Sequence, residues 1–313
     1  MDIFLVQQLV NGLAVGLIYA LVAIGFTLIF GVLNVVNFAH GEVYMLGAYA
    51  GLVLAVALAP PILALLLAVL AVGALLGFGL ERIAFRPFRR FRDEASLKSK
   101  AVREATLLSS LAVSIVTREL VEKLAGGDMQ VVPSTLRLQE PIILSEAFGI
   151  SGPLGDLVLI DGQLWILAAA VIMFALLQLV LYRTKTGLAI RAVAANPLGA
   201  AFVGIHANRT VIATFAIGSA MGAVAGILIG LYTADIQPAM GFAPGVKAFV
   251  AMVMGGLSSI PGAVICAILL GVAEALATEW VAQGWSELIA YAALLIVLLL
   301  FPTGLFGAGR ERV

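Results

Sequence analysis

Charge is scarce in this chain. Only 12% of its 313 residues are Asp, Glu, Lys or Arg, where soluble domains carry about 25%, and that shortage excludes an ordinary soluble fold. There is one cysteine, Cys266, so a disulfide or multi-cysteine metal site within one chain is excluded, and its place inside an apolar run makes it a packing residue. Two histidines, His40 and His206, are too few for a histidine metal centre. No G-x-x-x-x-G-K-[ST] occurs, so the chain cannot hydrolyse nucleotide through a P-loop, and neither H-E-x-x-H nor G-x-S-x-G is present. An enzyme is therefore the poorer reading, and no cofactor is called for.

What the chain has is apolar length. Hydrophobic residues make up 62% of it, and nine stretches stand out: 9–31, 36–58, 61–82, 105–124, 164–182, 211–233, 245–259, 262–281 and 285–302. Most approach the roughly 20 residues that a helical span requires. Two do not: 36–58 begins with the polar FAHGE, and 245–259 is short and ends in GGLSS, so both are candidates for half-helices or re-entrant segments. The expectation is one all-α integral membrane domain over 1–313, with about eight transmembrane helices plus broken segments. The opening MDIFLVQQLV lacks the basic region and cleavage pattern of a signal peptide and is expected to stay on the mature chain.

Basic residues are unevenly placed. Residues 82–104 hold Arg82, Arg86, Arg89, Arg90, Arg92, Lys98, Lys100 and Arg103; 184–209 holds Lys185, Arg191 and Arg209; the tail adds Arg310 and Arg312. Segment 126–161 has only Arg137 against Asp128, Glu140, Glu146, Asp156 and Asp161. Basic loops stay in the cytoplasm, which puts 82–104, 184–209 and the C-terminus inside, 126–161 in the periplasm and the N-terminus outside. RPFRRFR flanks a span and has no nucleic-acid-binding fold around it, so it reads as a positive-inside loop with no nucleic-acid partner.

The stretch NVVNFAHGEVYMLGAY, 34–49, sets Asn34, Asn37, His40 and Glu42 between two apolar runs. FAHG at 38–41 is echoed by FAPG at 242–245, 204 residues later, each leading into an apolar run. In the threading above the first run travels outward and the second inward, which is an inverted repeat, the arrangement in which transporters place substrate sites near the bilayer midplane. Irregular backbone there costs several kcal/mol per unpaired group unless protein or a water-filled cavity satisfies it. Asn37 is expected to cap a helix starting at Phe38, Glu42 to favour its N-terminus, and Pro244 to sit in the first turn of the second helix. The functional alternative is that His40 and Glu42 line or gate a polar path. Lys247 either approaches a substrate carboxylate or pairs with Glu42 or Glu274. Asn37, His40, Gly41, Glu42, Gly245 and Lys247 are thus the candidates for pathway or gate. Four-residue glycine spacings, such as Gly12 with Gly16 and Gly73 with Gly77, are packing surfaces for close helices.

The loop TKTGLAIRAVAANPLGAAFVGIHANR, 184–209, reads as an amphipathic helix, a bend at Asn196 and Pro197, and a second short helix ending at a glycine hinge, Gly204. It is either a docking element for a cytoplasmic partner or an ordinary interfacial helix.

Four blocks together, NGLAVGLIYALVAIGFTLIFGVLNVVNFAHGEVYMLGAY (11–49), TGLAIRAVAANPLGAAFVGI (186–205), GFAPGVKAFVAMVMGGLSSIPGAVICAILLGVAEAL (241–276) and FPTGLFG (301–307), resemble the LivH-type permeases of bacterial branched-chain amino acid ABC transporters. The resemblance implies a multi-pass inner-membrane permease, with no catalytic site of its own, that pairs with a second homologous permease, two cytoplasmic ATPase subunits and a periplasmic substrate-binding protein. It also implies that 186–205 is the coupling helix, which makes Gly187, Arg191, Ala192, Asn196, Pro197 and Gly204 the candidates for contact with the ATPase. A urea or short-amide permease is the nearest alternative, and an ion-coupled carrier or channel the alternative from another class.

Overall fold

A computed structural model describes residues 3–90, 100–143, 157–280, 286–301 and 303–307. Its helices, in chain order, are α1 (Ile3–Leu33), α2 (His40–Leu58), α3 (Ile62–Leu80), α4 (Lys100–Ala125), α5 (Asp161–Arg183), α6 (Lys185–Ala195), α7 (Pro197–Phe202), α8 (Ala207–Thr233), α9 (Phe242–Gly255), α10 (Ile260–Trp280) and α11 (Ser286–Leu300). Each of the nine apolar stretches contains a helix. Among the described residues, six are long and apolar enough to cross a membrane. Of the other three, α4 has the length but carries Arg103, Glu104, Arg118, Glu119, Glu122 and Lys123, while α9 and α11 have only 14 and 15 residues. Parts of the expected loops, 91–99, 144–156 and 308–313, lie outside the described residues, and with them Arg92, Lys98, Glu146, Asp156, Arg310 and Arg312.

A helix that is apolar all round belongs in the interior, and α1 and α8 occupy it: 83% and 72% of their apolar windows are buried, against 22% for the span beginning at Ile62. Each central helix packs closely on one neighbour. A Cβ added at Gly12 or Gly16 of α1 would lie 2.7 Å from the Cα of Val272 or Ile268 in α10, and one at Gly73 of α3 would lie 2.9 Å from the Cα of Ala220 in α8. The two pairs, α1 with α10 and α3 with α8, are the same contact with the repeats exchanged. Ile3 and Ala207, where α1 and α8 begin, are 204 residues apart, the offset between FAHG and FAPG. Both central helices also leave through a left-handed residue, Asn34 (φ 54°) and Ala234 (φ 63°).

One end of the bundle carries two short antiparallel pairs, β1 (Gln130–Val131) with β4 (Asp235–Ile236) and β2 (Pro141–Ile143) with β3 (Val158–Ile160). The start of α1 is tied to this strand end, since Gln7 Nε2 donates to the Val158 carbonyl at 2.8 Å and Gln7 Oε1 accepts from Val158 N at 3.2 Å. The opposite, basic end holds α6, α7 and the turn Arg86–Arg90, which follows Phe85, edge-on to Phe215 near the start of α8 (4.7 Å). By the positive-inside rule the basic end is expected in the cytoplasm. In a Cys266→Ala background, cysteine at the exposed Gln139 should therefore react with an impermeant thiol reagent in intact cells. Cysteine at the exposed Arg103, near the start of α4 at the other end, should react only after permeabilisation. The reverse pattern would invert the orientation.

Candidate functional site

Between α1 and α2 the chain abandons regular structure over 34–39, and between β4 and α9 it does so again over 237–241. The first break climbs from the basic end of α1 to the middle of the bundle, because His40 at the start of α2 lies against Gly25, Phe26 and Gly222, all mid-helix residues. The second descends from the strand end to the same level. There the two backbones touch: a Cβ on Gly41 would meet the Gly241 carbonyl at 2.7 Å, and one on Gly245 would sit 3.1 Å from the Gly41 Cα. Only residues without side chains allow this crossing. From it α2 runs towards the strand end and α9, about 21 Å long at 1.5 Å per residue, towards the basic end.

The expected cap at Asn37 is displaced. The helix starts at His40, not Phe38, with Ala39 in the capping position and no side chain capping it. Asn37 instead closes a turn ahead of the helix: its Oδ1 accepts from Ala39 N and its carbonyl accepts from His40 N, both at 3.2 Å. Phe38 N donates to Ser110 Oγ of α4 at 3.2 Å. The break is held by neighbouring polar groups, as backbone inside a bilayer requires. Pro244 does fall in the first turn of α9, where its missing N–H is not needed.

His40 and Glu42 are two residues apart, about half a turn, and so face different surroundings. His40 is fully buried, edge-on to Phe26 at 4.8 Å, in the space that Gly25 and Gly222 leave. Neither ring nitrogen has a sound hydrogen bond among the described residues, although the Val22 backbone faces the ring. Glu42, 4% exposed, turns towards α4, where Ser114 Oγ donates to Oε1 at 2.9 Å and Arg118 lies further along the same helix.

Of the pairings open to Lys247, the structure has Glu274. The Lys247 Nζ to Glu274 Oε1 distance is 2.9 Å, with the two side chains 12% and 8% exposed. Tyr19 of α1 completes the group: its hydroxyl donates to Glu274 Oε2 at 3.0 Å and accepts from Lys247 Nζ at 3.3 Å. The half-helix α9 is thereby pinned to α1 and α10. Tyr19 escaped the sequence reading because it lies within one long apolar run, and its phenol tip was the only signal there.

At the basic end, 184–209 folds as α6, a bend and α7. Asn196 caps α7, its Oδ1 accepting from Leu198 N at 3.0 Å and Gly199 N at 3.1 Å, with Pro197 at the first helical position. Gly187 has no room for a side chain against the Val180 and Leu181 backbone of α5, so it seats α6 on the bundle and is itself buried. Ala192 is half-buried, and Gly204, in open space at φ +83°, makes the turn after α7. Arg191 lies over the Tyr182 ring, 4.8 Å from its centroid, and borders an open cavity of about 860 Å³ between α6, Asn34 and the loops around Gly256 and Thr303. Losing the cap in Asn196→Ala should cost about 1 kcal/mol, while Asn196→Asp should recover it; amide exchange over 198–200 measures both.

The family described as branched-chain amino acid transport system / permease component matches residues 8–298. The chain belongs to this family. It is 36% identical to the high-affinity branched-chain amino acid transport system permease protein LivH of Salmonella typhimurium, over 97% of this chain and 96% of that one. It is also 36% identical to the permease protein BraD of Pseudomonas aeruginosa, over 96% and 95%. A ribose import permease protein of Haemophilus influenzae is more distant, 24% identical over 96% and 86%. No solved structure matches. The permease is thus a multi-pass inner-membrane transport subunit and not an enzyme.

Proposed function

We propose that this permease is the transmembrane subunit of an ATP-driven importer of branched-chain or related apolar amino acids. Its partners are a second homologous permease, two cytoplasmic ATPase subunits and a periplasmic substrate-binding protein. The observation that carries the reading is the crossing at Gly41, Gly241 and Gly245, where two oppositely directed helices, α2 and the short α9, begin at one level inside the bundle. Helix N-termini there offer amide donors to a substrate carboxylate. Lys247 already has Glu274 as its counter-ion, which favours the structural role over substrate contact. Asn37 holds the first break in shape, and His40 and Glu42 serve the alternating movement of α2 against α1, α8 and α4.

Energy enters at the basic end. Leu188, Phe202 and Val203 expose 58%, 87% and 76% of their surface on or next to α6 and α7, while Ile190, Val193 and Ala200 of the same two helices are buried. Apolar side chains presented this way suit a cleft in an ATPase, with Arg191, Asn196 and Pro197 beside them. The test is uptake of labelled leucine into proteoliposomes. Uptake should require both ATPase subunits and ATP, and should fall sharply in Arg191→Glu with the complex still assembled. Full uptake from vesicles lacking the ATPases, driven by an ion gradient, would overturn the reading.

A further inference from the structure

Two aromatic side chains at the crossing are exposed although the backbone beside them is buried. Phe38, 38% exposed, stands between the buried Asn37 and Ala39, and Phe242, 60% exposed, follows the buried Gly241. They are 204 residues apart and occupy the same place in FAHG and FAPG. They do not lie at the same depth. Phe242 is the first residue of α9, at the level of the crossing. Phe38 lies 6.3 Å, ring to ring, from Phe249, which is seven residues along α9 and so roughly 10 Å closer to the basic end. Phe249 in turn leans on Phe26 of α1 at 6.2 Å, and Phe26 on the His40 ring.

Non-helical backbone at this depth is not tolerated against lipid, so the face bearing Phe38 and Phe242 adjoins either protein or a water-filled cavity. Both rings project from it beside backbone that a substrate's charged ends need. We propose that Phe38 and Phe242 are the two gates of the translocation path: Phe242 closes it towards the strand end, and Phe38, tilted against Phe249, closes it towards the basic end. The space between them holds the apolar side chain of one amino acid. This rests on the importer reading above. Because Phe242 opens α9 and Phe38 lies in the turn just before α2, and these oppositely directed helices meet at Gly41 and Gly241, tilting one of them across this contact closes one gate as it opens the other. The aromatic contact from His40 to Phe26 to Phe249 makes His40 a positioning residue for the inner gate.

The test uses the complete reconstituted complex, carrying Cys266→Ala and either Phe242→Cys or Phe38→Cys, with a charged methanethiosulfonate reagent as probe. Phe242→Cys should react from the strand side and Phe38→Cys from the basic side, and trapping with ATP and vanadate should change the two rates in opposite directions. Lack of reaction at both positions in every state would mean that this face is covered by the partner permease or lipid, and would overturn the proposal. Equal rates unaffected by nucleotide would do the same. Phe38→Leu and Phe242→Leu, which keep apolar bulk, provide a second readout: ATP hydrolysed per leucine imported should rise several-fold, and an unchanged ratio would count against gating. Absence of leucine uptake by the unsubstituted complex would instead refute the importer reading.

Discussion

Lys247→Met is expected to be among the most destabilising single changes in this permease, because it leaves the Glu274 carboxylate, 8% exposed, with the Tyr19 hydroxyl as its remaining partner from the triad. Removing one member of a buried ion pair costs about 3–5 kcal/mol, whereas replacing both by apolar residues of similar volume is often neutral. The double substitution Lys247→Met with Glu274→Leu should therefore recover most of the loss, and Tyr19→Phe should cost only about 1–2 kcal/mol. Thermal unfolding of the purified permease in detergent measures all three. Uptake by the stable double variant then separates structure from function. Near-normal uptake means that the triad only pins α9, while a folded double variant that fails to transport would make the charges part of the path.

Gly41→Ala should abolish uptake. The added methyl would stand 2.7 Å from the Gly241 carbonyl and 3.6 Å from the Gly245 Cα, and because both neighbours are backbone, no flexible side chain can move aside. Overpacking of this kind costs about 1–3 kcal/mol in stability, but the larger effect is on movement, since the methyl holds apart α2 and α9 at the point where they cross. Gly31→Ala is the control: it lies in the last turn of α1 with nothing within 4 Å of the added Cβ, so the better helix propensity of alanine should leave the protein as stable or slightly more so. The comparison is uptake normalised to the amount of complex in the membrane. Normal uptake by Gly41→Ala would show that the crossing opens without passing through this contact.

Much of this was legible in the residues. Every apolar run contains a helix, because in a bilayer the backbone must satisfy its own hydrogen bonds and a helix does so locally. The short run before GGLSS is a half-helix, as its length required, and the bend at Asn196 and Pro197 follows from a proline that cannot continue a helix and an amide that caps the next one. The echo of FAHG in FAPG foretold that α1 with α2 and α8 with α9 would be inverted counterparts. These features depend on near neighbours in the chain, or on a pattern repeated along it.

Other features depended on which helices come together. Asn37 looked like a helix cap, but the helix begins at His40, because Ser110 of α4 and the turn at Asn37 hold Phe38 and Ala39 outside it. Lys247 had two acidic candidates; it reaches Glu274 because α9 packs on α1 and α10, while Glu42 faces away towards Ser114. Nothing local predicts Tyr19 as their third partner, 228 residues from Lys247, or the Gly41 to Gly241 contact across the bundle. Helix formation and the need for a break were determined by the sequence itself, since both follow from short-range hydrogen bonding and apolar length. Which polar groups meet, which glycines touch and which aromatic rings stay uncovered were decided only by the packing of the two repeats against each other, because those contacts join residues that the chain brings together only on folding.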